Sequence, residues 1–170
     1  ICRLMREILR DSSYPEFPRL ELFYRIGMMS AIIEPDASGT FVGSSFMYAT
    51  ARDWAKFGQL YLQDGLWSGQ RILPAGWVKY TTTPEPKSPD QGYGAHFWLK
   101  IPKEYRLFDY TDELPADAFH CVGYEGQFIS IIASLKLVVV RLGLTRYPSS
   151  WPHDKFLILV TKAARQKNAG

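Results

Sequence analysis

The residues Asp117–Leu144, DAFHCVGYEGQFISIIASLKLVVVRLGL, decide the fold. They contain three runs with the composition of β-strands, namely DAFHCVGY, QFISIIAS and LVVVRLGL. Gly123–Gly126 and Ser134–Lys136 link these runs, and links this short join neighbouring antiparallel strands. The stretch therefore predicts an antiparallel meander. Because the last two runs are apolar at nearly every position, we expect them to be central strands that are covered on both faces.

Helical patterns surround the meander. After it, WPHDKFLILVTKAARQK (151–167) predicts a helix that covers the sheet with Phe156, Leu159, Val160 and Ala163. Before it, YGAHFWLKI (93–101) has the composition of a fourth strand. Residues 1–90 are mainly helical in pattern, with helices predicted in ICRLMREILR, in PRLELFYRIGM up to Gly27, and from Pro74 in RILPAGWVKYTTTP.

The most distinct helix is YATARDWAKFGQLYLQDG, in which Thr50 and Asp53 have the spacing of a capping box and Gly65 follows as a left-handed terminator. Helices, then a strand meander, then a covering helix indicate an α+β fold with an α/β layered arrangement. We expect residues 1–170 to be a single partial domain. Its parts are a mainly helical region (1–90), antiparallel strands (91–150) and a C-terminal covering helix (151–167).

Composition excludes several classes of protein. Among 170 residues, 46% are hydrophobic and 22% are charged, which is typical of globular domains. No apolar run approaches the ~20 residues of a membrane-spanning helix, and the one basic cluster, KAARQKNAG, favours a solvated helix end over a nucleic-acid site. The first helix places Ile1, Leu4, Met5 and Ile8 on one face with no capping residue before it. We therefore expect this chain to begin inside a longer protein.

Local motifs give little chemistry. His96, His120 and His153 are isolated, no metal-ligand spacing is present, and no cofactor motif is found, so neither a metal nor a cofactor is expected. His96 and His120 fall in predicted strands, where structural histidines are expected. Cys121 in its strand favours an inert thiol. Taken alone, these patterns indicate only a layered globular domain.

A longer stretch carries more information. Residues 37–78, ASGTFVGSSFMYATARDWAKFGQLYLQDGLWSGQRILPAGWV, are followed by YGAHFWL and LVVVRLG. Over residues 15–165 this order resembles serine hydrolases of the β-lactamase and penicillin-binding-protein-like superfamily. It is most similar to the class C-like branch that includes esterases and 6-aminohexanoate-dimer hydrolases. The resemblance implies a β-lactamase/transpeptidase-like fold that is incomplete at its N-terminal side.

The resemblance also implies three active-site boxes. The first is Ser-x-x-Lys, which supplies the nucleophile and its base, and the second is Tyr-x-Asn. Neither is found in this sequence. The third, Lys-Thr-Gly or His-x-Gly, corresponds to Tyr124, Glu125 and Gly126, which would line the substrate site. The backbone N–H of Gln127 would then be an oxyanion donor. Tyr124 carries no permanent charge, so esters or amides without a carboxylate are the favoured substrates. A plain hairpin turn remains the alternative interpretation of VGYEGQF.

Two functions follow from this resemblance. The first is the C-terminal part of a serine hydrolase that acts on small ester or amide substrates through an acyl-enzyme and is inactive without its nucleophile. The second is a non-catalytic binding or scaffolding module that retains the fold. A truncated product with no role of its own is a third, weaker alternative. We expect either a missing N-terminal segment or a second copy to pair with an exposed sheet edge. The compartment, bacterial periplasm or cytoplasm, stays open.

Overall fold

The chain folds as two compact units, Ile1–Phe57 and Gly58–Gly170. The computed structural model describes residues 1–105, 113–146 and 149–168. The predicted arrangement of residues 1–170 as one partial domain stays a prediction.

The first unit begins with two helical segments. Helix α1 is interrupted at Arg10, whose backbone has φ 61° and ψ 160°, and the apolar side chains Ile1, Leu4 and Ile8 are exposed. The second segment is a π-helix followed by a 3₁₀ turn, and it ends at a left-handed Gly27, as the sequence predicts. The bounds are α1 Cys2–Ser13, π-helix Arg19–Phe23 and 3₁₀ turn Tyr24–Ile26.

A short antiparallel ribbon follows, formed by β1 (Ile32–Ile33) and β2 (Met47–Tyr48). The loop between these strands is held by Tyr14, which is buried. The Tyr14 ring packs on Phe41 with 4.8 Å between centroids, and its hydroxyl accepts the Phe41 N–H at 3.0 Å. One aromatic side chain therefore supplies both apolar contact and a partner for a loop amide.

Buried Asp53 ties helix α2 (Ala51–Leu62) to the loop before the ribbon. Its carboxylate accepts the Ser30 N–H at 2.8 Å and the Ser30 hydroxyl at 2.6 Å, and it pairs with Lys56 at 2.7 Å. Lys56 and then Ser30 lower the pKa of Asp53 to about 2. The predicted capping box is half formed, because the Asp53 N–H bonds the Thr50 hydroxyl while its carboxylate binds Ser30.

The second unit contains a small ribbon, a short helix and the main sheet. Helix α3 starts at Trp77, after a left-handed Gly76, and not at Pro74 as the sequence predicts. The proline stands before the helix because Gly76 intervenes in a conformation that no helix interior adopts. The bounds are β3 Leu66–Trp67, β4 Gln70–Arg71, α3 Trp77–Thr81, β5 Ala118–Gly123, β6 Gln127–Ile132, β7 Leu137–Arg141 and α4 His153–Asn168.

The antiparallel meander is confirmed, with strand order β5-β6-β7. Its register places His120 opposite Ser130, and Ser130 opposite Val139. Strand β6 is central and buried along most of its length, as expected. The expectation that β7 is also central is wrong: within the described residues β7 is an edge strand. An apolar run signals burial of both faces, and it does not tell whether a partner strand lies on each side.

Both faces of the sheet are covered. On one face Ala118, Phe128, Ile132 and Val139 pack with Leu157 of α4 in the principal core. On the other face Phe119 contacts Tyr61 and Phe97, with ring centroids 6.4 and 5.4 Å away. The covering role predicted for the C-terminal helix is thus confirmed.

The predicted face of α4 is partly correct, because Phe156 and Val160 pack against the core, whereas Leu159 and Ala163 are exposed. Leu159 is 60% exposed, whereas Leu157, Ile158 and Thr161 are buried. The run FLILV is apolar on all sides, so its periodicity leaves the inward face open. Two polar residues determine which face of α4 points inward, since His153 and Thr161 are buried and hydrogen-bonded on the core side.

The fourth predicted strand, YGAHFWLKI, is also wrong. It forms isolated bridges, in which Trp98 pairs with both Tyr93 and His120, and His96 stands in the turn between them with φ 68°. His96 therefore does not lie in a strand, whereas His120 does. Gly94 allows this segment to lie close to Thr81, because a Cβ on Gly94 would lie 2.3 Å from the Thr81 carbonyl oxygen.

Gly58, in the last part of α2, provides a test of packing against the sheet within the second unit. A Cβ there would lie 2.5 Å from Val138 Cγ1. We expect Gly58→Ala to lower the free energy of unfolding by about 1 to 2 kcal/mol, because overpacking outweighs the gain in helix propensity. In a Val138→Ala background the same change should stabilise by up to about 1 kcal/mol, because the clash with Val138 is removed and only the contact with Ile129 Cγ2 at 3.2 Å has to adjust.

Chemical denaturation of the four proteins in this cycle provides the measurement. The exposed neighbour Gln59→Ala is the control, and it should change stability by less than about 0.5 kcal/mol. An equal effect of Gly58→Ala in both backgrounds would contradict the packing described here.

Candidate functional site

The VGYEGQF stretch forms the turn between β5 and β6. Gly123 and Gln127 are the last paired residues, and the three residues between them make the turn. Glu125 and Gly126 both have left-handed backbones, with φ 54° and 79°. Tyr124 at the tip is 77% exposed. The hairpin interpretation of this stretch thus describes its backbone, and we call residues 123–127 the β5–β6 turn.

Gly126 is packed closely on its inner side. A Cβ on this residue would lie 3.1 Å from Trp151 Cβ and 3.2 Å from Arg141 Nη1. Together with its positive φ, this contact explains why glycine occupies the position. The space beside its Cα is filled by protein side chains on that side.

Arg141, the last residue of β7, holds the turn from behind. Its Nη1 donates to the carbonyls of Gly126 at 2.5 Å and Glu125 at 3.5 Å. Its Nη2 donates to Thr145 Oγ1 at 2.8 Å, and the guanidinium lies 4.3 Å from the Trp151 ring centroid. Sequence reasoning did not identify Arg141, although a lone arginine that ends an apolar strand run is a usable signal.

The side chains of the turn point in different directions. Gln127 Nε2 donates to the Tyr124 carbonyl at 3.1 Å and closes the loop. Glu125 has one carboxylate oxygen, Oε2, that is buried and lacks a hydrogen-bond partner. The residues predicted to bind substrate, Tyr124, Glu125 and Gly126, are consecutive in this turn. Tyr124 is the most exposed of them.

The pairing pattern fixes the direction of each backbone amide. His120 exchanges both of its backbone hydrogen bonds with Trp98, so it faces away from β6. Antiparallel ladders alternate, so Gly123, three residues on, faces β6 and its partner Gln127. In a planar trans peptide the C=O and the next N–H point in opposite directions. The Tyr124 N–H therefore points away from β6, to the outer edge, whereas the Gln127 N–H points toward Gly123.

A row of buried polar side chains lies on the face of the sheet that α4 covers. Ser130 Oγ is 2.8 Å from His120 Nδ1 and 2.8 Å from His153 Nε2. Trp151 Nε1 donates to His153 Nδ1 at 3.3 Å, which makes Nε2 the protonated nitrogen of His153. His153 then donates to Ser130, and Ser130 donates to His120. We call Trp151, His153, Ser130 and His120 the buried polar row.

The buried polar row is a structural feature. Ser130 and His153 are fully buried and His120 is 1% exposed, so no substrate reaches the hydroxyl. Burial lowers the pKa of each histidine to about 3, and the Arg141 charge adds to the effect at His153. The sequence predicted a structural histidine at His120. It did not predict the row, whose only sequence signal is that His120 and Ser130 are cross-strand partners.

Cys121 is not activated, and the described residues offer no metal site. Desolvation raises the pKa of the Cys121 thiol to about 12, so it stays protonated at neutral pH. Across the described ranges, no group of histidine, cysteine and acidic side chains is arranged to hold a metal ion. No helix within those ranges is long and apolar enough to cross a membrane.

Comparison with known proteins now places the fold. A solved structure of a proposed 6-aminohexanoate-dimer hydrolase from Bacillus anthracis matches 99% of this chain and 42% of its own, with a TM-score of 0.75 and 23% identity. A proposed β-lactamase from Bacteroides dorei DSM 17855 matches 84% of this chain and 49% of its own, with a TM-score of 0.55 and 12% identity. The chain has the β-lactamase-like fold of these two structures and spans part of it, which confirms the predicted α+β fold class.

Sequence comparison adds one relative. An uncharacterized protein of Alkalihalophilus pseudofirmus is 29% identical over 98 residues, which are 56% of this chain and 29% of that protein. No protein-family model matches the chain. The chain thus spans less than a third of this curated relative and less than half of each solved structure.

The buried histidines predict a pH dependence of stability. Their folded pKa of about 3 lies below the ordinary 6.5. The unfolded chain therefore binds more protons between these values, and stability must fall as pH falls through that window. We expect a loss of up to about 2.7 kcal/mol per pH unit between pH 6 and pH 4, when both histidines contribute fully.

Urea denaturation at half-unit pH steps measures this slope. Asp53, with its pKa near 2, affects only the lower part of the acid range. His96→Gln changes an exposed histidine and should keep the wild-type slope, because the two buried histidines remain. A flat profile between pH 6 and pH 4 would show that the histidines are not held neutral.

Proposed function

We propose that this chain is part of a serine hydrolase that cleaves ester or amide bonds through an acyl-enzyme. One observation carries the proposal: 99% of the chain matches the proposed 6-aminohexanoate-dimer hydrolase at a TM-score of 0.75. Fold alone does not define activity. The β5–β6 turn, where the family resemblance implies the third active-site box, supports the proposal as a second feature.

The nucleophile and base are proposed to lie outside these 170 residues. No serine in the chain stands three residues before a lysine. Ser130, although flanked by two histidines, is fully buried and is excluded as the nucleophile. The chain would supply the wall of the cleft, while the remainder of the active site would come from a segment that precedes it.

Two backbone amides of the turn are candidate oxyanion donors. Gln127 is the donor that the resemblance implies. The register favours a second, Tyr124, because its N–H points to the outer edge while that of Gln127 points toward Gly123. Tyr124, Glu125 and Gly126 would line the substrate site, the buried Gly126 through its backbone, and Tyr124, being uncharged, fits esters and amides without a carboxylate.

The outer edge of β7 is the proposed pairing site for another strand. Within the described residues β7 has a partner on one side only, whereas Trp98 bridges the outer edge of β5. An open edge offers unpaired amides and carbonyls to another strand. The missing segment or a second copy of the chain would pair there.

A non-catalytic binding module is the second candidate. The exposed Tyr124, in place of the lysine or histidine of the third box, favours it. In that case the turn would be retained for packing against Arg141 and Trp151 alone.

Covalent labelling tests the proposal. We expect a fluorophosphonate probe to label the product of the complete reading frame that contains this chain and to leave the 170-residue chain unlabelled. Removal of a nucleophile in serine hydrolases costs on the order of 10⁶-fold in rate. In-gel fluorescence is the readout, and heat-denatured protein is the control. A complete product that is folded and unlabelled would refute the hydrolase assignment and favour the binding module.

The identity of the oxyanion donor has its own test. In the phosphonylated complete protein, we expect the ¹⁵N–¹H resonance of Tyr124 to shift downfield, because its amide would donate to the phosphoryl oxygen. A shift at Gln127 with none at Tyr124 would instead assign the donor to the position that the resemblance implies.

A further inference from the structure

Arg141 makes an unusual set of contacts for a charged residue near the end of a strand. Its guanidinium donates to the carbonyls of Glu125, Gly126 and Gly143 and to the hydroxyl of Thr145. It also lies over the face of the Trp151 ring, 4.3 Å from the centroid. All of these hydrogen-bond acceptors are neutral.

The charge of Arg141 is not balanced by an ion pair in the part of the chain that the structure describes. Burial lowers its pKa, yet a guanidinium stays protonated in proteins. A partly buried cation without a carboxylate stabilises partial negative charges instead, and here these are the carbonyl oxygens of the turn. Its electrostatic effect therefore acts on the carbonyls of the β5–β6 turn as well as on His153.

The Gly126 carbonyl, which Arg141 binds, is linked through the turn to the direction of the outward-pointing Tyr124 amide. The Gly126 C=O and the Gln127 N–H belong to one planar peptide and point in opposite directions. With the carbonyl held by Arg141, the N–H is directed toward Gly123. The Gly123 carbonyl then faces β6, so the Tyr124 N–H is left pointing outward.

The turn needs such support. Glu125 is a non-glycine residue in the left-handed region, at φ 54°, a conformation that is unfavourable for an L residue with a Cβ. The carbonyl of Glu125 accepts from Arg141 and from the Thr145 N–H at 3.2 Å. These bonds offset the backbone strain and select one conformation of the turn.

We propose that Arg141 is a positioning residue that fixes the β5–β6 turn so that its outward amide is aligned for the reacting oxygen. The inference rests on the proposed function for its catalytic part. The inference that Arg141 fixes the conformation of the turn rests only on the contacts of Arg141 with the turn carbonyls. In this proposal Arg141 acts through the carbonyls of the turn that it binds.

The first measurement concerns the turn itself. In the complete protein, we expect Arg141→Lys to speed hydrogen exchange of the Gln127 amide, which pairs with Gly123, by tenfold or more, because the lysine ammonium lacks the planar fork with which Arg141 reaches several acceptors. Amides of helix α2 should exchange as in the wild type. Arg146→Lys, the same substitution at an exposed position five residues on, is the matched control and should leave the turn unchanged.

The second measurement separates positioning from general stability. With p-nitrophenyl acetate as the ester probe, we expect Arg141→Lys to lower kcat by tenfold or more and to change KM by less than twofold, since only the alignment in the transition state is lost. Arg141→Met, which removes the charge, should lose more activity. The Arg146→Lys control should keep both constants.

A second variant covers the case in which Arg141→Lys does not fold. Thr145→Val keeps the side-chain shape and removes one acceptor of Arg141, so it should give the same changes at smaller size. Wild-type exchange and kcat in folded Arg141→Lys would overturn the proposal. So would wild-type exchange in Thr145→Val if Arg141→Lys is unfolded.

Failure of the proposed function gives a different result. If the wild-type complete protein neither hydrolyses the ester nor reacts with the fluorophosphonate, the hydrolase assignment fails. The exchange measurement then decides the role of Arg141 at the turn. Faster exchange in the variant would retain a conformational role, and unchanged exchange would remove that role too.

Discussion

The hydrogen bonds of Ser130 to His120 and His153 are the constraint on which the second unit depends. They join β5, β6 and the first turn of α4 at one buried point. A buried hydroxyl and two buried imidazoles each cost free energy unless they are paired. The three groups can be paired together only if the strands keep their register and the helix keeps its rotation. The ring of Phe128, stacked 3.7 Å from that of His153, closes the space around them.

This constraint extends to the β5–β6 turn through two side chains. Trp151 donates to His153 and lies under the guanidinium of Arg141, which binds the carbonyls of the turn. Each link has a definite direction, from ring nitrogen to ring nitrogen and from guanidinium to carbonyl. The turn is therefore shaped from the interior of the sheet, and its exposed side, at Tyr124, remains available for contacts.

The sequence predicts the parts of this fold that depend on local patterns. The meander, the short turn and the covering helix follow from strand composition, link length and periodicity, and all three are present. The inward face of α4 is predicted only in part, at Phe156 and Val160, because FLILV is apolar on every side and buried polar residues decide its rotation. The bridges of Trp98 are not predicted either, since a partner strand is a long-range choice. The site shows the same division: the turn is predicted, whereas Arg141 depends on a contact 15 residues away in sequence.

A turn held in this way is compatible with catalysis and does not by itself demand it. Preorganised donors accelerate a reaction only where charge develops beside them, and an amide at an exposed edge can be satisfied by water without any reacting partner. The decisive element is therefore the group that faces the outer edge of β5. On this edge Trp98 pairs with His120. Between His120 and Tyr124 the outer edge of β5 has no strand partner in the described residues. A nucleophile delivered by another segment would have to approach at that edge, because Arg141 and Trp151 occupy the inner side of Gly126.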